Sequence, residues 1–218
     1  MQIDIVSDTV CPWCFIGKRR LERALEQRPD IEFDIHWRPY RLDPTVPKEG
    51  VDRKAYMRAK FGDGPEVAKR GEAIRALGEQ ERIAFDFGRI ARTPNTLDSH
   101  RLIRWAASAG VQDNIVEALF SAYFEQGRDI GDPEILEWVA AQSGMDGDLV
   151  RELLAQGADV DLVEREDALA HTMGISGVPT FIFANKYLLS GAQDPETLVR
   201  VIDKVMDEDE PMSDEEAE

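Results

Sequence analysis

Hydrophobic and polar residues at the beginning of the chain follow a pattern that predicts a strand, a helix and a second strand. Residues 2–7 form a short apolar run, which indicates a buried strand. Hydrophobic residues then recur at helical spacing over residues 15–25, and Pro29 ends that pattern. In residues 31–37 apolar side chains alternate with polar ones, as in a half-buried strand. The order is therefore β–α–β.

From about residue 52 to residue 174 the pattern changes to one helix after another. Gly110 and Gly127 stand where two of these helices end, since glycine is the usual residue just past a helix C-terminus. Asp132 and Pro133 open a further helix, because they supply an N-cap and a proline in the first turn. No fixed-period repeat is visible, so the pattern is not that of a solenoid.

The last part of the chain returns to β-structure. Two short apolar runs meet near Asn185 and Lys186, which predicts a hairpin, and Asp194 and Pro195 begin a final helix. The β–α–β and β–β–α ends are each too small to bury a core of their own, so we expect them to fold together. The prediction is an α/β protein in which a large all-helical domain is inserted between these two halves.

This order of elements sets the expected domain boundaries. Residues 1–48 and 175–207 form one discontinuous domain, residues 49–174 form the helical insertion, and residues 208–218 form an acidic, disordered tail. Residues 207–218 contain eight acidic residues and no basic one, and such like-charge blocks are usually solvated.

Composition narrows the class of partner. The chain has 218 residues and a net charge of −17, which argues against nucleic acid or an anionic membrane surface as a partner. No segment approaches the ~18 apolar residues that a membrane-spanning helix needs. If Met1 is the native start, the N-terminus lacks the features of a signal peptide, and we expect a cytoplasmic protein. Its oligomeric state, monomer or homodimer, stays open.

The candidate chemistry lies in the chain's two cysteines, Cys11 and Cys14, which have C-x-x-C spacing at the predicted start of the first helix. Free N–H groups and the dipole at a helix N-terminus favour a thiolate at Cys11, the attacking species. Cys14, one turn further on, could resolve a mixed disulfide on Cys11. Pro12 and Trp13 separate the pair, and Trp13 could form part of a surface that docks a substrate peptide.

Two other interpretations of the pair are weaker. A structural zinc site needs four ligands, whereas one C-x-x-C supplies two, and the three histidines are far apart in sequence. We predict no metal site. Two inert core cysteines are the other alternative, but a C-x-x-C between a strand and a helix is typical of redox motifs in a reducing compartment.

With these residues in view, the sequence resembles a known family. SDTVCPWCFIGKRRLE (7–22), GISGVPTFIF (174–183) and TPNTLDSHRLIRWA (93–106) are similar to the thioredoxin-like DsbA family, and most to its FrnE-like branch, which is grouped with 2-hydroxychromene-2-carboxylate isomerases. The likeness covers nearly the whole chain. It implies a thioredoxin fold with an inserted helical domain.

The resemblance also implies a site around Val178, Pro179 and Thr180. It predicts a cis Val178–Pro179 bond beside the cysteines and recognition of an extended substrate segment by the backbone before the proline. The alternative from the residues alone is a proline that merely starts a strand.

The branch leaves two activities open. The first is a thiol–disulfide oxidoreductase that uses Cys11 and Cys14 on a protein or small-thiol substrate. The alternative is a glutathione-dependent isomerase or transferase acting on a small aromatic compound; in the isomerases that this chain resembles, the position matching Cys11 is commonly serine. No tightly bound cofactor is expected, and glutathione is a candidate co-substrate. A chaperone-like binder without catalysis is a third hypothesis.

Further candidates lie in the insertion and in the first helix. The resemblance suggests that Asn95 and His100 face the cysteines across a cleft, and that His100 stabilises the thiolate or moves protons; the alternative is a packing histidine. Asp98 is expected to cap the first turn of that helix. Lys18, Arg19 and Arg20 are expected to lie on a solvated face or to attract an anionic substrate. Aromatic residues such as Trp105 and Tyr123 should build the insertion core.

Overall fold

The computed structural model describes residues 1–209, and its order of elements follows the predicted one. The first half comprises β1 (Gln2–Ser7), α1 (Pro12–Leu25), β2 (Asp34–Pro39), β3 (Val51–Asp52), α2 (Arg53–Phe61), α3 (Pro65–Gln80), β4 (Arg92–Thr93) and α4 (Leu97–Ser108). The second half comprises α5 (Gln112–Phe120), a π-helical turn (Ser121–Glu125), α6 (Pro133–Gln142), α7 (Gly147–Ala155), α8 (Val160–Thr172), β5 (Thr180–Phe183), β6 (Tyr187–Ser190) and α9 (Pro195–Asp209).

The two ends of the chain form one four-stranded sheet, in the order β2-β1-β5-β6. β1 runs parallel to β2, as a β–α–β unit requires, and antiparallel to β5. β5 and β6 form the predicted hairpin, and Ala184 and Asn185 in its turn have φ angles of 48° and 56°. Because β1 and β5 are neighbours, the end of β1 and the loop before β5 lie at the same edge of the sheet.

The helical insertion shares its core with this sheet instead of forming a separate one. Phe15 of α1 stacks on Phe120 of α5 with ring centroids 5.0 Å apart, and Trp37 of β2 meets the edge of the same ring. Buried side chains of both parts form one contiguous cluster. The insertion is therefore packed directly behind α1, the helix that carries the cysteines.

Three details differ from the sequence predictions. The insertion is not all-helical, because β3 and β4 pair over two residues; Gly50 permits this approach, with φ 71° and a virtual Cβ only 2.9 Å from the Thr93 carbonyl oxygen. β2 begins at Asp34 and not at residue 31, since the ladder with β1 starts with the pair Gln2 and Asp34. α9 continues through residue 209, into the predicted tail, whose residues 210–218 lie outside the described part.

The basic residues Lys18, Arg19 and Arg20 of α1 form ion pairs. The expectation that they lie on a solvated helix face is therefore wrong. Lys18 is 3% exposed and its ammonium group contacts the carboxylates of Glu22, Asp113 and Glu117. Burial lowers the pKa of Lys18, but the charges of Asp113 and Glu22 outweigh burial and raise it. Arg19 joins the same carboxylates, and Arg20 pairs with a buried Glu81. The cluster thus fastens α1 to the insertion.

Candidate active site

The cysteines lie where the sequence places them, at the N-terminus of α1. Cys11 is the N-cap residue, with φ −94° and ψ 113°, and Pro12 occupies the first helical position. The Cys11 N–H donates to the Asp8 carbonyl at 3.0 Å, and the Cys14 N–H donates to the Cys11 carbonyl at 3.0 Å. Both residues are free thiols, 3% and 1% exposed. Cys11 therefore lies at the positive end of the α1 dipole, although its side chain makes no capping hydrogen bond.

The loop before β5 covers the first cysteine. The Val178–Pro179 peptide bond is cis, and the Cys11 thiol donates to the Val178 carbonyl oxygen at 3.6 Å. Thr180 is buried and its hydroxyl donates to the Gly177 carbonyl, so this side chain closes the loop. The structure therefore brings Cys11, Val178 and Pro179 together, although 167 residues separate the first two in the chain.

A close helix contact holds the proline in place. Gly17, one turn after Cys14, has no side chain, and a Cβ there would lie 2.8 Å from Pro179 Cγ and 3.3 Å from Phe181 Cζ. These distances are shorter than the ~3.5–4.0 Å at which carbon atoms normally pack. Only glycine lets α1 and the proline loop approach this closely. Gly17 cannot be recognised from the sequence, because a glycine inside a helix carries no signal of what lies opposite it.

Cys14 has the environment of a thiol that stays protonated. Burial raises the pKa of the Cys14 thiol well above its ordinary value, and its neighbour Cys11 raises it further. Hydrogen bonds from the Ser7 side chain and the Asp8 backbone act in the opposite direction and are outweighed. The environments of the two thiols therefore differ: Cys11 is the N-cap residue of α1, while Cys14 is buried within its first turn.

The entrance to the site is apolar. The Trp13 side chain is 39% exposed. Pro12 and Val178, which lie beside the cysteines, are half-buried. An exposed tryptophan next to a buried thiol offers contact area to a docked segment. These residues occupy positions consistent with the predicted substrate surface, and that role stays a prediction.

The α4 candidates are used by the fold itself. The Asn95 side chain donates to the Val46 carbonyl at 2.6 Å and accepts from the Leu97 N–H at 3.0 Å, so Asn95 links the start of α4 to an adjacent loop. Asp98 does not cap the helix, which corrects that expectation, because its carboxylate accepts from the buried Arg101 guanidinium at 2.6 Å.

His100 is buried, at 4% exposure, and its Nε2 lies 3.3 Å from Asp8 Oδ1 in the loop before Cys11. The neighbouring Ser99 and Thr9 hydroxyls are 2.8 Å apart. Asp8 and Thr9 were not predicted as site residues; their only sequence signal is their place between a buried strand and the cysteines. His100 of α4 therefore contacts the loop between β1 and Cys11 through Asp8.

The other candidates lie outside this site. His36 pairs with Asp34 on β2, and His171 packs on Tyr40. Leu119, Phe120 and Tyr123 are fully buried, as expected for the insertion core, while Trp105 and Trp138 are half-buried.

Within residues 1–209, no group of three His, Cys, Asp or Glu side chains could hold a metal ion. No helix in that range is long and apolar enough to cross a membrane.

Comparison with known proteins gives a consistent result. The family model for the DSBA-like thioredoxin domain matches residues 2–203. A probable DsbA oxidoreductase from Streptomyces coelicolor is 30% identical, with a TM-score of 0.87 over 98% of this chain and 93% of that chain.

Two more distant structures are similar in fold alone. The cytosolic disulfide reductase DsbM from Pseudomonas aeruginosa, solved with GSH, is 16% identical, with a TM-score of 0.66 over 95% of this chain and 100% of its own. A 2-hydroxychromene-2-carboxylate isomerase is 14% identical, with a TM-score of 0.67 over 95% and 97% of the two chains. The predicted fold class, a thioredoxin fold with a helical insertion, is confirmed.

Proposed function

The chain belongs to the DSBA-like thioredoxin domain family, and from this membership and the site geometry we propose that it is a thiol–disulfide oxidoreductase. Its catalytic residues are Cys11, the nucleophile, and Cys14, the resolving thiol. The observation that carries the proposal is the contact of the Cys11 sulfur, at 3.6 Å, with the carbonyl of Val178 at the proline loop. That contact supports a nucleophile that acts beside the proline loop and close to the exposed, apolar Trp13.

The reaction has two displacement steps. The Cys11 thiolate attacks one sulfur of a substrate disulfide, a bond forms between them, and the other substrate sulfur leaves as a thiolate. Cys14 then loses its proton and attacks the Cys11 sulfur, which releases the second substrate thiol and leaves a Cys11–Cys14 disulfide. Two electrons pass from the enzyme dithiol to the substrate. Two molecules of a small thiol such as glutathione would restore the dithiol and leave as the disulfide.

The difference between the thiols supports this order of events. Because the pKa of Cys14 is raised by burial, Cys14 keeps its proton while Cys11 attacks. It becomes reactive only when a mixed disulfide brings a leaving group into reach. The exposed Trp13 and the half-buried Val178 then contact the substrate segment.

Reduction in the cytoplasm is the direction we favour. In a reducing compartment a dithiol centre is kept in the thiol form, from which it can reduce a substrate disulfide. The resemblance in fold to a cytosolic disulfide reductase solved with GSH supports glutathione as the co-substrate. The acidic surface, with a net charge of −17, favours partners other than nucleic acid.

The test compares prereduced wild type, Cys11→Ser and Cys14→Ser in the reduction of a model peptide disulfide, with no glutathione present that could resolve a mixed disulfide. We expect Cys11→Ser to abolish turnover, and Cys14→Ser to stop after one mixed disulfide, visible as a mass adduct on Cys11. Thermal unfolding of each variant serves as the folding control. Release of both peptide thiols by Cys11→Ser would disprove the proposal. Their release by Cys14→Ser would show that Cys14 is not the resolving thiol, and the glutathione-dependent isomerase, which needs none, would then be the alternative.

A further inference from the structure

Two consecutive residues of the loop before Cys11 pair with two consecutive residues of α4. Asp8 faces His100 and Thr9 faces Ser99, at 3.3 Å and 2.8 Å. All four side chains are at most 4% exposed. The Asp8 carbonyl also accepts the Cys11 N–H. The helical insertion therefore reaches the loop before Cys11 through buried polar groups as well as through the shared apolar core.

The Asp8 carboxylate has one oxygen that the fold does not satisfy. Oδ2 accepts from the Leu42 N–H at 2.8 Å. Oδ1 is buried and makes no hydrogen bond within residues 1–209, and the same holds for His100 Nε2, which lies opposite it. A buried carboxylate without a positive partner is costly and disfavours a second negative charge nearby. An imidazolium at this distance would supply that partner.

We propose that His100 is a positioning residue of the redox site, whose positive charge compensates Asp8 and so permits the Cys11 thiolate to form on the adjoining loop. This inference rests on the proposed function, because it concerns the reactivity of Cys11 in disulfide exchange. Its test, however, measures thiol alkylation and uses no disulfide exchange. The His100 side chain does not touch the substrate. It acts through Asp8, and loss of its charge leaves the carboxylate to repel the thiolate.

Other titratable groups surround the pair. The Asp8 charge acts on three tyrosines from the segments packed around it, which are Tyr40, Tyr56 and Tyr123. His100 also lines a cavity of about 270 Å³, together with titratable side chains of β2, α4, and α8 with its N-cap residue. These are His36, Arg38, Arg104, Asp159 and Glu166. Arg104 is already paired with Glu166 and Asp159.

The test measures the rate of Cys11 alkylation by iodoacetamide against pH, in the Cys14→Ser background so that one thiol is titrated. We expect His100→Asn to raise the midpoint by about 0.5–1 pH unit, a three- to tenfold slower reaction below both midpoints. Adding Asp8→Asn removes the uncompensated charge and should return the midpoint to the parent value. His36→Asn, a substitution in the same cavity away from Asp8, should leave it unchanged.

A purely structural role predicts another pattern. In that case the second substitution would add damage instead of restoring the midpoint, and an unchanged or lowered midpoint in His100→Asn would overturn the proposal. His100→Gln, which keeps a hydrogen-bond donor without charge, must give the same upward shift if the Asp8 variants fail to fold. Alkylation needs no disulfide substrate, so the result is independent of whether disulfide exchange itself is observed.

Discussion

Replacement of Gly17 by alanine tests how the site is assembled. In a helix, alanine is favoured over glycine by roughly 0.5–1 kcal/mol. Here, however, the new Cβ would lie 2.8 Å from Pro179 Cγ and 3.3 Å from Phe181 Cζ. To relieve both contacts, the proline loop must move away from α1 by roughly 0.5–1 Å, judged from ordinary carbon–carbon packing distances. Overpacking of this kind costs about 1–3 kcal/mol, so we expect a net loss of about 0.5–2 kcal/mol.

The matched control is Gly71→Ala in α3. A Cβ at Gly71 would meet nothing closer than an Arg75 side-chain nitrogen at 4.0 Å. The same chemical change should therefore stabilise the protein, by up to about 1 kcal/mol. The contrast between the two variants isolates the contact with Pro179 from the general preference of helices for alanine.

The assay is guanidinium unfolding followed by tryptophan fluorescence, together with the rate of exchange with a model disulfide. Gly17→Ala should lower the unfolding midpoint and slow the exchange, since Val178 and Pro179 shift relative to Cys11. Gly71→Ala should raise the midpoint and leave the exchange rate unchanged. If Gly17→Ala gained stability as Gly71→Ala does, the packing argument would be refuted.

Three further predictions concern individual side chains. Because burial raises the pKa of Cys14, the reduced protein should lose stability as pH rises above the unfolded thiol value of about 8.5, whereas Cys14→Ser should not; denaturant midpoints across pH 7–10 test this. Lys18→Met leaves its carboxylate partners uncompensated and should cost about 1–3 kcal/mol in denaturant unfolding, against at most about 0.5 kcal/mol for the exposed Lys204→Met. An equal loss in both lysine variants would contradict the burial argument. Trp13→Ala should change stability by less than about 0.5 kcal/mol but raise KM for a peptide disulfide more than for a small disulfide; equal effects on both would exclude a docking role.

The local signals in the sequence identified most of the fold. Asp132 and Asp194 accept hydrogen bonds at the starts of α6 and α9 as predicted, and Pro12 lies at the first position of α1. Such caps depend on neighbouring residues and can be predicted locally. The pairing of β3 with β4 was missed, because each strand has two residues and the pair is too short for a periodic pattern.

The residues of the candidate site could be located from the sequence, but the side chains that support them could not. Cys11 and Cys14 carry their own motif, and the resemblance supplied Pro179. The partners of these residues come from distant segments: Asp8 with His100, and Lys18 with Asp113. A single sequence does not show that Lys18 is buried, since its charge alone favours solvent. Long-range contacts of this kind depend on how the insertion packs on α1.

The reduction potential of the Cys11–Cys14 pair shows whether the two cysteines act as a dithiol and disulfide. It is measured by equilibrating the protein in glutathione buffers of graded ratio and following tryptophan fluorescence, with Trp13 next to the pair. We expect one reversible two-electron transition between roughly −120 and −270 mV, the range of working dithiol enzymes. If there were no transition, or a stable glutathione adduct on Cys11 in place of the internal disulfide, the two cysteines would not act as a dithiol pair.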